Sequence, residues 1–155
     1  IIVNVQADEP FIEKEVVQAV INRVEKVIEK DEDVMITSCY KKITSELADD
    51  PNHVKVVLDE NSNAIYFSRA KVPYHRDHYS SSSYYGHLGI YGFTKKTLNE
   101  FCSLKPSKLE SLEKLEQLRA IDNGHAVAMV EVESKSFGID TQEDLNNALK
   151  IFDKQ

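Results

Sequence analysis

Two hydrophobic rhythms alternate along this chain, and that alternation constrains its fold more than any other feature. Ile1-Ile2-Val3-Asn4-Val5-Gln6 is a β-branched run of the kind found in buried strands. Ala7-Asp8-Glu9-Pro10 breaks it. Ile12, Val16, Val20, Val24 and Val27 or Ile28 then recur at helical spacing. This predicts an amphipathic helix over 12–29, with Glu, Lys and Arg on a solvated face. Further strands are expected over 34–40, 54–58, 64–68, 87–93 and 126–132. The turn-forming stretch Asp59-Glu60-Asn61-Ser62-Asn63 joins two of them as a β-hairpin.

Helices are expected over 44–49 and 95–104, and from Pro106 to Gly124 with Leu109, Leu112, Leu115 and Leu118 as a core stripe. Another should start at Asp140-Thr141-Gln142-Glu143-Asp144, which offers a capping residue and acids in its first turn. Residues 71–86 have no periodicity and contain four consecutive serines, Ser80 to Ser83. A loop of that length is usually a functional flap, an interface arm or disordered. Alternating strands and helices argue an α/β sandwich with a mixed sheet, partly antiparallel, in one domain over residues 1–155.

Composition narrows the functional classes. Apolar residues make up 41% and charged residues 29%, which is globular rather than disordered. The net charge of -7 repels phosphate backbones, so nucleic acid is not an expected partner. No apolar run approaches a bilayer span, so no membrane partner is expected. The chain opens inside a strand without Met, and residues are expected upstream. Cys39 and Cys102 lack metal-type spacing and read as reduced, partly buried thiols of a cytosolic protein.

Several polar residues stand where chemistry is done. Asp8-Glu9 follows the first strand, and in open α/β sheets the ligand crevice lies beyond the carboxyl ends of strands. A carboxylate there is either a hard-cation ligand, suited to Mg2+, or a turn residue facing water. Asp140 is either a second such ligand or a plain helix N-cap. Arg69, at the end of Phe67-Ser68-Arg69, is a carboxylate clamp or a surface residue, and His87 is a site residue or a core histidine. Gly89 and Gly92 weaken their strand unless something approaches closely. Glu116-Gln117 points away from the line of leucines, as a wet face would.

These segments together resemble one family. Asn4-Val5-Gln6-Ala7-Asp8-Glu9-Pro10, NHVKVVLD (52–59), Tyr66-Phe67-Ser68-Arg69, HLGIYGF (87–93), LEQLR (115–119) and GIDTQEDL (138–145) are similar, in order and spacing, to the successive motifs of CMP-Kdo synthetases. The resemblance implies a nucleotidyltransferase-like α/β/α sandwich and a cytoplasmic homodimer. It implies transfer of CMP from CTP to 3-deoxy-manno-octulosonate (Kdo), with Mg2+ and release of pyrophosphate, for lipopolysaccharide biosynthesis. Asp8 and Asp140 would be catalytic metal ligands. Gln6, Arg69, His87, Tyr91, Glu116 and Gln117 would line the sugar site.

Two departures accompany it. Ala7 stands where the family usually has Gly. The P-A-R-x-x-S-x-R type loop that cradles the CTP phosphates has no counterpart in the sequence, so the expectation is the C-terminal larger part of such an enzyme, impaired or inactive alone. The alternatives are a cytidylyltransferase acting on another sugar acid, such as a sialic-type acid, and an inactive dimerising or sugar-binding fragment.

Overall fold

In the computed structural model, residues 1–7, 9–76, 84–135, 138, 142, 145, 146, 149 and 150 are described. Along the chain run β1 (Ile2–Val5), α1 (Lys14–Glu29), β2 (Val34–Ile43), α2 (Ser45–Asp49), β3 (Lys55–Leu58), β4 (Ala64–Ser68), β5 (Tyr84–Phe93), α3 (Lys95–Ser103), α4 (Lys108–Glu113), α5 (Leu118–Asp122) and β6 (Ala126–Glu131). Positions 142, 145, 146, 149 and 150 are helical, whereas Asp140, the expected cap of that segment, lies outside the described residues.

The strands form one mixed sheet in the order β4-β3-β5-β2-β6, with β1 also paired to β5. β2 and β6 are parallel and the other pairs antiparallel. β1, β2 and β6 therefore run the same way. The spacing of Val16, Val20, Val24 and Val27 places all four on one side of α1, and all four are buried. Val16 and Val20 meet Cys39, Leu88 and Ile90 on one sheet face. Each valine so buried contributes about 1.5–3 kcal/mol relative to exposure. Gly92 permits this approach, since a Cβ there would lie 2.7 Å from Val20 and Val24 and closer still to Thr37. The close approach foreseen for this strand is therefore a helix in this case. The larger core, with Met35, Phe67, Phe93, Leu115, Leu118 and Val127, sits under α3, α4 and α5.

The expected hairpin is present. The Asp59 carboxylate accepts from the backbone N–H groups of Asn61 at 2.8 Å and Asn63 at 2.7 Å, a side-chain-closed turn. Capping boxes at Thr94 and Ser107 start α3 and α4.

Among the described residues β1 pairs only with β5, and Ile2 and Val5 are exposed. One expectation is corrected. The helix expected from Pro106 to Gly124 is two helices. Lys114 adopts a left-handed conformation (φ 57°) and ends α4. Arg119 of α5 then grips Glu110 of α4 through Nε at 2.9 Å and Nη2 at 2.5 Å. The turn shifts the phase, so Leu112 is 69% exposed while Leu115 and Leu118 are buried. β5 also begins at Tyr84, three residues before its expected start.

Candidate functional site

β5 is flanked along one edge by two strands that do not meet. β1 pairs with Ile90–Phe93 and β3 with Gly86, which leaves positions 87–89 at the gap between them. Gln6 N–H donates to Gly89 O at 3.0 Å and His87 N–H to Val54 O at 2.8 Å, closing the gap's two sides. Here lies an open cleft of about 360 Å³. Chain beyond the carboxyl ends of β1 (Gln6, Glu9) and β6 (Gly138) lines it, as do Lys41 and Ile43 at the end of β2. That is where an open α/β sheet binds ligands.

The expected sugar-site residues come together in this cleft. Gln6, Arg69, His87, Tyr91, Glu116 and Gln117 all line it, although they come from four separate segments. Alternation along β5 puts His87, Gly89 and Tyr91 on one face of the strand. Gly89 leaves room for its neighbours, since a Cβ would lie 3.1 Å from Gln6 Cγ and 3.4 Å from Glu9 Cγ.

Gln117 departs from the wet-face reading. It is 3% exposed, because the turn at Lys114 swings it under the sheet. Its Oε1 accepts from Tyr91 Oη at 3.2 Å, while its buried Nε2 has no hydrogen-bond partner among the described residues. A buried amide left so costs about 1–3 kcal/mol, and a ligand acceptor in the cleft would recover it. Glu116 is exposed at the rim, as expected.

Arg69 is half-buried and anchored. Its Nε donates to Glu113 O at 2.8 Å and its Nη1 to Pro51 O at 3.1 Å. Two of its five N–H donors are thus used for orientation. His87 packs against the edge of Phe67, with ring centroids 4.9 Å apart. Burial pushes its imidazole down to about 3, so the ring is neutral at physiological pH.

Other cleft residues had no signal in the sequence reading. Lys41 lines the cleft. Burial lowers its pKa while Glu9 and Glu13 work against that shift. A charged pair, Lys41-Lys42, at the end of an apolar strand was the available clue. Lys55 is fully buried behind the site and donates to Arg69 O at 2.6 Å and Asp50 O at 3.0 Å. Cys39 is buried, and burial pushes its thiol up to about 12; Cys102 is exposed, and both are free thiols.

Asp8 and Asp140, the expected metal ligands, lie outside the described residues. Their neighbours Gln6 and Glu9 on one side and Gly138 on the other border the same cleft. Among the described residues, no group of three or more His, Cys, Asp or Glu could hold a metal ion. Nor is any helix there long and apolar enough to cross a membrane.

Residues 1–136 match the family described as cytidylyltransferase. The 3-deoxy-manno-octulosonate cytidylyltransferase of Wolinella succinogenes is 51% identical over 154 residues, 98% of this chain and 63% of that protein. The Nitratiruptor protein of the same name is 52% identical over 145 residues, 94% of this chain and 60% of its own length. The Helicobacter pylori counterpart is 51% identical over 154 residues, 97% and 61% respectively. The chain thus spans about six-tenths of the length of these relatives. Among solved structures, CMP:2-keto-3-deoxy-manno-octonic acid synthetase complexed with CTP superposes with a TM-score of 0.84 at 29% identity, covering 98% of this chain and 61% of that one. A putative glucose-1-phosphate thymidylyltransferase from Bacillus anthracis, at 18% identity and a TM-score of 0.54, shares the fold.

Proposed function

This chain belongs to the cytidylyltransferase family, and from that premise we propose that its cleft is the sugar side of a site transferring CMP from CTP to Kdo. One observation carries the reading. Six residues from four separate segments, Gln6, Arg69, His87, Tyr91, Glu116 and Gln117, line one cleft at the carboxyl ends of parallel strands. The named relatives at about half identity support Kdo as the sugar acid.

In this reaction the anomeric hydroxyl oxygen of Kdo bonds to the α-phosphorus of CTP. The bond from that phosphorus to the bridging oxygen breaks, pyrophosphate leaves, and the hydroxyl proton goes to solvent or a base. Such transfer depends on positioning and charge neutralisation more than on covalent help from the protein. The residues of this cleft suit positioning. Arg69, held by two backbone carbonyls, offers its remaining donors to the sugar carboxylate. Gln117 Nε2 donates to a sugar oxygen, while its Oε1 is kept in place by Tyr91. Lys41 offsets negative charge in a chain that is acidic overall. Asp8 and Asp140 would hold Mg2+, and the cleft-lining neighbours Gln6, Glu9 and Gly138 support that assignment. When bound, Mg2+ would neutralise phosphate oxygens and lower the pKa of the attacking hydroxyl.

The same reading carries a cytoplasmic homodimer serving lipopolysaccharide synthesis; light scattering tests the dimer. A second reading keeps the cleft without turnover: a sugar-binding piece, in which Arg69 and Gln117 still meet the sugar.

Pyrophosphate release from CTP, Kdo and Mg2+, beside the Asp8→Ala variant, separates the two. Release that disappears in the variant establishes the transferase. No release, with Kdo binding in calorimetry but no CTP binding, establishes the binding piece. A folded chain that binds neither ligand refutes both. Competition between Kdo and a sialic-type acid reads the sugar preference.

A further inference from the structure

The pairing of β2 with β5 has an irregularity between Ser38 and Cys39. Ser38 sits at that break, completely buried. Its Oγ lies 2.7 Å from Ile90 O and 2.9 Å from His87 Nε2. A carbonyl oxygen can only accept, and a serine hydroxyl has one proton to give. The proton therefore points at Ile90, and Oγ faces His87 with its lone pairs. The hydrogen on that contact must come from the imidazole.

We propose that Ser38 is a positioning residue that fixes His87 as the Nε2–H tautomer, so that the ring presents Nδ1 to the ligand as an acceptor for a sugar hydroxyl rather than as a donor to the sugar's carboxylate. A neutral imidazole has one donor and one acceptor nitrogen, and the partner of one decides the role of the other. The half-buried ring keeps this neutral form, since burial holds His87 far below the ordinary histidine range. The charged groups lining the same cleft are Glu9, Lys41, Asp50, Arg69, Lys114 and Glu116, and none of them contributes to that depression. The carboxylate of a sugar acid is then left to Arg69 and Lys41. The identity of the ligand rests on the function proposed above; the tautomer does not.

Imidazole nitrogen–proton correlation spectra of the 15N-labelled chain test it. In the free chain His87 should show a protonated Nε2 and a bare Nδ1, unchanged from neutral pH down to about pH 5. In Ser38→Ala the ring should become a tautomer mixture, with Kdo binding about three- to tenfold weaker. On adding Kdo to the wild-type chain, Nδ1 should shift while Nε2–H persists. A free chain with Nδ1–H, or with an imidazolium at neutral pH, overturns the proposal even if Ser38→Ala fails to fold. Kdo binding that leaves the ring resonances unmoved, or that protonates Nδ1, overturns the hydroxyl role. Absence of Kdo binding overturns the functional reading of the cleft and that role together, and the free-chain spectrum judges the tautomer separately.

Discussion

The two walls of the cleft are finished to different degrees. On the β3–β4 side the polar groups gather around one carboxylate and one ammonium. The Glu113 carboxylate accepts from Arg69 N–H at 3.0 Å, Ser68 Oγ at 2.7 Å and Tyr66 Oη at 3.3 Å. The buried Lys55 ammonium bridges the carbonyls of Asp50 and Arg69. On the α5 side, Gln117 keeps a buried Nε2 without a partner among the described residues, and Tyr91 leans on the other end of the same amide. A satisfied network rigidifies, and an unsatisfied buried donor waits for an acceptor. The first wall is scaffold that aims Arg69, and the second is binding surface.

The largest expected effect is on the scaffold wall. Glu113→Ala removes the acceptor of three donors and should lower unfolding free energy by about 2–4 kcal/mol, read from urea midpoints. The effect should depend on pH. Burial works to raise the Glu113 pKa, but hydrogen bonds from Arg69 N–H, Ser68 and Tyr66 outweigh it and hold the carboxyl below its usual range. A depressed folded pKa stabilises fully above the unfolded value and loses that contribution as pH falls through the folded one. The gap between wild type and variant should therefore stay constant at neutral pH and begin to close below about pH 4.5. A variant as stable as wild type but unable to bind Kdo would break the comparison, since Glu113 would then be a ligand contact.

Gln117→Leu should behave in the opposite way. It deletes the orphaned donor, so stability should change by less than about 1 kcal/mol in either direction, while Kdo affinity falls by about tenfold or more. Calorimetry beside the urea midpoint reads both. A stability loss of about 3 kcal/mol with affinity retained would make Gln117 scaffold as well, and the contrast between the walls would vanish.

The scaffold wall was also the less legible one in the sequence. Periodicity found every strand, as well as α1 and α3, because those elements bury one face against a neighbour. It failed at Leu112, where a single left-handed residue, Lys114, resets the helical phase. The six lining residues were found because they fall within recurring motifs, not because their spacing shows a cleft. Ser38 and Glu113 carried no such signal, and Lys55, although inside the 52–59 motif, was not singled out. Ser38 acts through an irregular register between two strands far apart in sequence. Lys55 and Glu113 act through contacts between β3, the chain after β4 and the end of α4. A lysine inside the apolar run of 54–58 was the one visible oddity, since a lysine is almost never fully buried without partners.

The smallest expected effect tests the floor on which both walls stand. Gly89→Ala places a Cβ 3.1 Å from Gln6 Cγ and 3.4 Å from Glu9 Cγ. Both neighbours are side-chain atoms, and the glutamine chain can swing away, so the backbone pairing of Gln6 N–H with Gly89 O should survive. Stability should then fall by less than about 1 kcal/mol. Gln6 would be displaced from the cleft it lines, and Kdo affinity should weaken by a few-fold, less than in Gln117→Leu, because Gln6 is half-exposed and water replaces part of what it loses. The His87 ring signals should not move, since Gln6 and Glu9 are not among the partners of its imidazole. A large stability loss would mean that the gap between β1 and β3 is held open by tight packing around position 89, and the floor would then belong with the scaffold wall.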